Sequence, residues 1–426
     1  IGFWLTHLIW LPFSFTVLFE TFWGAVIFIP VIAIKALMWA AVFGLSVRKP
    51  LARAGLWVVL EYLTSLGPLA FPWGFMGYAL TDAPGRMLAS AGGIYLLSLV
   101  VLGVAWLLSV LWEASQRRPE VFSRHGIALV VLLVFWLGLW GWRLPEAQQG
   151  DTTALLVQGN LNPRSGRWDV APEIYNRLSA QGVAAHPEAV AVVWPESSVL
   201  GPDLPSPGTA WLTGRELVAG AYLFRPGERF GSNSAALLTD GRITADYAKT
   251  RLVPFGEFYP FQRELPQVYS FFFRALGFES DLRSQTPGGT YTVLGRYGTY
   301  ICYESVFPSV SRIFTQNGAQ VLALVTNDAW FGPSFGGLQH FQMGRIRAAE
   351  TGRWVLRAGN DGVTAVLDPY GRVMSFIPRQ REGFLAGRFS FLEGQTLYVR
   401  WGDWAVWVAL GMAALGLLYG RKTPIV

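Results

Sequence analysis

The chain has 426 residues, of which 52% are hydrophobic and 15% aromatic while only 15% are charged. A mean hydropathy of +0.34 excludes an ordinary soluble globular protein and points to one integral to a membrane. The net charge of +6 does not indicate nucleic acid as a partner, because no basic run or aromatic-interleaved patch stands outside the short loops between apolar stretches.

Apolar stretches long enough to cross about 30 Å of hydrocarbon occur at 1–19, 22–45, 54–71, 88–112, 126–143 and 404–420. Their length and lack of turn signals predict six helical spans, five at the front and one at the end. The chain opens at Ile1 inside the first of them, so its natural N-terminus is expected upstream. Arg48, Lys49 and Arg53 fall between the second and third spans, Arg117, Arg118 and Arg124 between the fourth and fifth, and Arg421 and Lys422 after the sixth. The opposite connections carry only Arg86. The positive-inside rule makes the basic loops cytoplasmic and puts the long region before the last span on the outer face. Lys35 and Glu61 lie inside spans at similar depth, where ionisable groups are costly and usually paired, so the expectation is either a Lys35–Glu61 ion pair or a Lys35 that snorkels or faces a lipid-headgroup cavity.

Three units follow: a helix bundle over 1–145, an outer domain over 146–403, and a terminal helix with a cytoplasmic tail over 404–426. The outer domain is long enough to bury its own core. Short apolar runs at 153–158, 189–194, 217–222, 235–239, 299–302, 321–326, 354–357 and 363–367 read as strands covered on both faces. Helical segments at 171–185, 305–317 and 340–352 separate some of them, which predicts an α/β domain of layered sheets. Asp240-Gly241 and Tyr370-Gly371 mark hairpin turns. The segment 269–278 carries five aromatics in ten residues. It reads either as a core element or as an arm that dips into the bilayer or covers an acyl chain.

Cys302 is the only cysteine, so it cannot be structural through a disulfide within the chain. Only four residues are lysine, and Lys249 stands alone among 22 arginines between the last two spans. A single ammonium kept in that setting suggests a task that the planar guanidinium fork cannot perform. Both residues sit at the ends of apolar runs, as does Glu196 in Val193-Trp194-Pro195-Glu196-Ser197, where proline is expected to end the strand. A thiol, a base and a cation at strand ends are what acyl transfer through a thioester requires. His340, in Gln339-His340-Phe341-Gln342-Met343, reads as a structural hydrogen-bond partner. No His/Cys spacing fits a metal site, and no metal or cofactor is expected.

Trp194-Pro195-Glu196, Lys249-Thr-Arg-Leu-Val-Pro-Phe-Gly-Glu257, Ile301-Cys302-Tyr303-Glu304, Asn327-Asp-Ala-Trp330-Phe331-Gly332 and Gln339-His-Phe-Gln-Met343 together resemble the apolipoprotein N-acyltransferases, the membrane branch of the nitrilase, or carbon-nitrogen hydrolase, superfamily. The resemblance spans essentially the whole chain. It implies a transmembrane helix bundle joined to a nitrilase-like αββα sandwich, with a triad of Glu196, Lys249 and Cys302. Cys302 would take an acyl chain from a phospholipid, usually phosphatidylethanolamine, with Glu196 as base and with Lys249 and the Tyr303 N–H holding the oxyanion. The thioester would then pass its acyl chain to the α-amine of a diacylglyceryl lipoprotein, the last step of lipoprotein maturation. Glu257 and Glu304 match supporting carboxylates. Trp168 matches an aromatic near the site, and Trp330 with Phe331 is a candidate wall for the acyl chain. The resemblance also implies a monomer in the bacterial inner membrane with its catalytic domain in the periplasm. Two departures stand out: the family has eight spans where six are counted here, and Asn360-Asp361-Gly362 replaces the more usual paired asparagines before glycine. The rival readings are a membrane-anchored amidase or nitrilase acting on a small soluble substrate, and a non-enzymatic lipid-binding protein.

Overall fold

The computed structural model describes residues 1–19, 22–47, 49–117, 145–147, 149–162, 170–200, 209–225, 231–275 and 284–419, with Gly126, Val130, Val134 and Gly138 as single positions. Trp168 and, apart from those four positions, the expected span at 126–143 lie outside the described residues.

The N-terminal part is built from helices α1 (Gly2–His7), α2 (Leu11–Phe19), α3 (Phe28–Leu45), α4 (Pro50–Leu63) and α5 (Ala89–Arg117). Two of the expected spans take a different form. The stretch 1–19 is two short helices rather than one, and 54–71 is helical only as far as Leu63. Beyond Leu63, Gly67 adopts a positive φ of 75°, and Pro68 and Pro72 cannot continue a helix. The chain therefore leaves α4 as a strap, 70–76, whose Ala70 and Trp73 are buried. Those residues are apolar because they pack against protein, which a hydropathy reading does not separate from lipid contact. Among the described residues, Gly24–Leu45 and Pro84–Trp112 are long and apolar enough to cross a membrane.

The sandwich comprises two sheets. The first has the order β11 (Gly383–Phe389), β1 (Thr152–Gln158), β2 (Ala189–Leu200), β3 (Glu216–Leu223), β4 (Ser232–Thr239) and β5 (Arg242–Ala248). The second runs β10 (Val373–Ile377), β9 (Thr364–Leu367), β8 (Val355–Gly359), β7 (Val321–Thr326) and β6 (Tyr297–Ile301). Strands β1, β2 and β3 are mutually parallel, as are β6, β7 and β8. The period-two pattern of the strands decides the layers. Ala154, Leu156, Ala191 and Val193 join Val321, Ala323, Val325 and Leu356 in the core between the sheets. Leu155, Val157, Val192 and Trp194 face the other way, onto Tyr175 and Leu178 of α6 (Ala171–Ala185). The second sheet is covered by α8 (Pro308–Gln316) and α9 (Gly336–Thr351), so the order of layers is α-β-β-α. Between β5 and β6 the chain forms α7 (Pro266–Ala275), which exposes Val268 and Phe271.

After β11, α10 (Leu397–Trp401) leads into α11 (Trp404–Tyr419), which packs on α4. Small residues allow that approach: a Cβ on Gly55 would lie 2.3 Å from the Ala409 carbonyl oxygen, and one on Gly416 would lie 2.4 Å from the Ala52 nitrogen. The sandwich and the N-terminal helices are joined by polar contacts. The Ile94 N–H, just after Gly92 and Gly93 break the helical path of α5, donates to Glu350 at 2.8 Å. Arg345 pairs with Asp82 at 2.6 Å.

Candidate active site

A bulge within β2, the residue after β5 and the residue after β6 bring Glu196, Lys249 and Cys302 to one region. Pro195 does not end β2, as the sequence reading expects; the strand runs on to Leu200, and its register against β3 shifts between Trp194 and Val199. Proline lacks the ladder donor, and a bulge is where a strand tolerates that. Gly220 on β3 makes room, since a Cβ there would stand 2.3 Å from the Pro195 carbonyl oxygen. The bulge turns the Glu196 side chain inward. Its Oε1 accepts from Asn233 Nδ2 at 2.7 Å and from Lys249 Nζ at 3.2 Å, and its Oε2 accepts the Asn327 N–H at 2.9 Å.

Lys249 follows β5 and is wholly buried. Its ammonium also donates to Glu257 Oε1 at 2.8 Å. Burial alone would lower the lysine pKa, but Glu257 and then Glu196 outweigh it and hold the group above the ordinary lysine range. Lys249 is therefore a permanent cation. Glu257 is fixed in turn by Asn233 at 2.9 Å and by the Val253 N–H at 2.8 Å.

Cys302 follows β6 with φ of +47°, a left-handed conformation that costs a residue with a Cβ on the order of 1–3 kcal/mol. The chain then enters the 3-10 turn Cys302–Val306. Burial pushes the Cys302 thiol above the usual thiol range, Glu196 adds to the effect, and Lys249 opposes it. The direction of the shift favours the thiol over the thiolate. Glu304 staples this turn to the Lys249 loop. Its Oε2 accepts the Ile301 N–H at 2.9 Å, while Oε1 accepts from the Tyr247 hydroxyl at 2.6 Å and from the N–H groups of Thr250 and Arg251 at 2.8 and 3.1 Å. Burial, partly offset by these donors, raises the Glu304 pKa.

His340 makes structural hydrogen bonds. Its Nε2 lies 3.0 Å from the Cys302 carbonyl oxygen and 2.6 Å from Ser305 Oγ, and its Nδ1 lies 2.9 Å from Asp328. Asp328 also accepts from Arg357 at 2.5 Å. Burial would raise the Asp328 pKa, but Arg357 and His340 win and hold it below the usual carboxylate range. Trp330 is 40% exposed. Phe331 is packed among Trp10, Trp73 and His340, at centroid distances of 4.9, 5.8 and 5.7 Å, so it belongs to an aromatic cluster between α2 and the turn. Asp361 pairs with Arg379 at 3.0 Å. Arg379 also donates to the Gly332 carbonyl at 2.7 Å, so the pair clasps the loop that carries Trp330.

Sequence reasoning missed Asn233, which touches both carboxylates beside Lys249, and Asn360, which donates to Asn327 at 3.1 Å. The available signal was Ser232-Asn233-Ser234, a polar triplet opening an otherwise apolar buried strand. Beside the site, a cleft of about 490 Å³ runs between Phe13 and Val17 of α2 and a polar rim that includes Asn160, Asp361 and Gln380.

Comparison with known proteins gives a family match to each half. Residues 1–107 match the Apolipoprotein N-acyltransferase N-terminal domain, and residues 209–391 match Carbon-nitrogen hydrolase. The chain is 31% identical over 427 residues to an apolipoprotein N-acyltransferase of Pseudomonas paraeruginosa, covering 92% of this chain and 78% of the relative. It is 34% identical over 397 residues to that of Azotobacter vinelandii, covering 87% and 73%. Among solved structures, Saccharomyces cerevisiae Nit3, a member of branch 10 of the nitrilase superfamily, is similar over 61% of this chain and 95% of its own, at 17% identity and a TM-score of 0.42.

Proposed function

The chain belongs to the apolipoprotein N-acyltransferase family, and from that premise we propose how its own residues carry acyl transfer from a phospholipid to a lipoprotein. It is an N-acyltransferase with a nitrilase-like α/β fold, acting on lipid and lipoprotein. In the proposed first half-reaction Glu196 takes the Cys302 thiol proton as the sulfur attacks the sn-1 ester carbonyl of a phospholipid, phosphatidylethanolamine by preference. The oxyanion forms against the Lys249 ammonium and the Tyr303 N–H. Collapse breaks the ester C–O bond, Glu196 returns the proton to the leaving glyceryl oxygen, and a lysophospholipid departs from the thioester. In the second half-reaction the neutral α-amine of a diacylglyceryl-cysteine attacks the thioester. Glu196 accepts one amine proton, and the amide forms as the Cys302 sulfur leaves and is reprotonated. Glu257 and Glu304 hold Lys249 and the turn in place, and Trp330 walls the acyl chain.

The observation that carries the reading is Lys249, a buried cation held at 2.8 and 3.2 Å by two carboxylates where the strand ends converge with Cys302. Such an arrangement costs desolvation energy that packing alone would not require. The amphipathic cleft beside α2 and the exposed Phe271 of α7 support a lipid donor. We further place the helices as a multi-pass bundle in the bacterial inner membrane, with the sandwich on the periplasmic side of a monomer. The arginine-rich loops support that orientation.

Intact-mass measurement after incubation with phosphatidylethanolamine alone tests the chemistry. Wild type is expected to gain one acyl mass that hydroxylamine removes, and Cys302→Ala to gain none. Acylation of Cys302 by a small amide but by no phospholipid would replace the lipid donor with the amidase reading.

A further inference from the structure

Lys35 on α3 and Glu61 on α4 are both buried, and neither has a part in the chemistry above. The ion pair, one of the two expectations for them, is not present. Instead each grips the strap 70–76. Lys35 Nζ donates to the Phe71 carbonyl at 2.8 Å, its only hydrogen-bond acceptor among the described residues. The rings of Trp4, Phe71 and Trp39 surround it at 5.3, 5.0 and 5.7 Å, a cage that suits a compact ammonium. Glu61 Oε1 accepts the Met76 N–H at 2.8 Å. An amino group on a carbonyl at one end and a carboxyl oxygen on an N–H at the other thus pin the strap.

The strap meets the Cys302 turn once directly, at Ala70, and once through His340, at Trp73. The Ala70 carbonyl, one residue from the Lys35 grip, accepts the Tyr303 hydroxyl at 2.7 Å. The Trp73 ring stacks on His340, with centroids 6.2 Å apart and planes 16° from parallel, and His340 Nε2 lies 3.0 Å from the Cys302 carbonyl oxygen. The first contact ends on the Tyr303 side chain and the second on the Cys302 carbonyl, which belongs to the same planar amide as the Tyr303 N–H. Fixing that carbonyl and the Tyr303 side chain fixes the direction of the N–H.

We propose that Lys35 is a positioning residue for acyl transfer: by holding the Phe71 carbonyl it fixes the strap that aims the Cys302–Tyr303 peptide N–H at the developing oxyanion. The inference rests on the oxyanion role given to that N–H above. A donor aimed only at the oxyanion strengthens in the transition state, so loosening it lowers the rate of acylation and leaves donor affinity unchanged.

The test uses the full chain in detergent micelles, with single-turnover acylation of Cys302 by a water-soluble p-nitrophenyl ester and, separately, by phosphatidylethanolamine. Lys35→Met and Tyr303→Phe are each expected to lower the acylation rate constant about tenfold, with the half-saturating ester concentration unchanged. Because both changes weaken the same link, the double variant is expected to lose less than the product of the two. Wild-type rates in Lys35→Met, or losses that multiply fully, would overturn the proposal. If Lys35→Met does not fold, Tyr303→Phe decides: a rate-only loss supports the link, and a wild-type rate overturns it. Acylation by the p-nitrophenyl ester but by no phospholipid sinks the lipid-donor reading while leaving the Lys35 comparison intact.

Discussion

The Cys302 thiol is raised by burial and by Glu196 and lowered by Lys249, and those opposing neighbours make its titration a direct probe of the site. In wild type, the rate of alkylation by iodoacetamide is expected to show no inflection near about 8.5, where a free thiol titrates. Glu196→Gln removes an anion that disfavours the thiolate, so it should bring the inflection down even as it abolishes acylation. Lys249→Met removes the stabilising cation and should drive the inflection further up. Shifts of the opposite sign would mean that these groups do not flank the sulfur. Glu196, Lys249 and Cys302, which the structure brings together, were legible in the sequence because each is chemically rare or sits at the end of an apolar run. Asn233, Asp328 and Arg357 were not, since a polar residue in a buried strand or loop becomes informative only once its partners are known. Pro195 shows the same limit: its missing donor predicts an interruption, but whether the strand stops or bulges depends on Gly220 in the neighbouring strand.

Among the elements, the eight apolar runs expected to be strands all lie within or overlap strands of the structure. The three strands outside those runs, β5 and β10 after the expected hairpin turns and β11, are all edges of their sheets. Edge strands face solvent or loops on part of their surface and therefore mix polar with apolar residues; β5 alternates little and is mostly exposed. The bulge in β2 is the element on which the site depends most. Gly220→Ala places a Cβ 2.3 Å from the Pro195 carbonyl oxygen and 2.5 Å from the Glu196 Cα, and neither backbone atom can yield cheaply. We expect a loss of about 1–3 kcal/mol in stability together with loss of thioester formation, read by thermal unfolding and intact mass. Wild-type acylation in this variant would show that the bulge does not position Glu196.

For the whole molecule, the helices do more than anchor the sandwich. The strap from α4 reaches the Cys302 turn, α5 is held by Glu350 of α9, and α11 returns to lie against α4. Small residues set the distance between α4 and α11, as they do where helices pack without a hydrophobic driving force. Gly55→Leu would drive a side chain into the Ala409 and Ala413 backbone. It is expected to cost about 1–3 kcal/mol and to lower the aggregation temperature of the detergent-solubilised protein, whereas Gly411→Leu, at a position with nothing within 4 Å, should leave it unchanged. Equal effects of the two would remove the close helix contact from the account.

Composition, period and residue rarity are local properties, so the sequence alone carried the class of the protein, the α/β character of the long region before its last helix, and the singularity of Cys302 and Lys249. Only the tertiary structure decided where the apolar stretch 54–71 ends as a helix, that Lys35 and Glu61 grip the strap rather than each other, and that Phe331 packs inside an aromatic cluster. Each of those outcomes depends on a partner distant in the chain. Hydrophobicity records that a residue avoids water, but it does not say whether lipid or protein takes the place of that water.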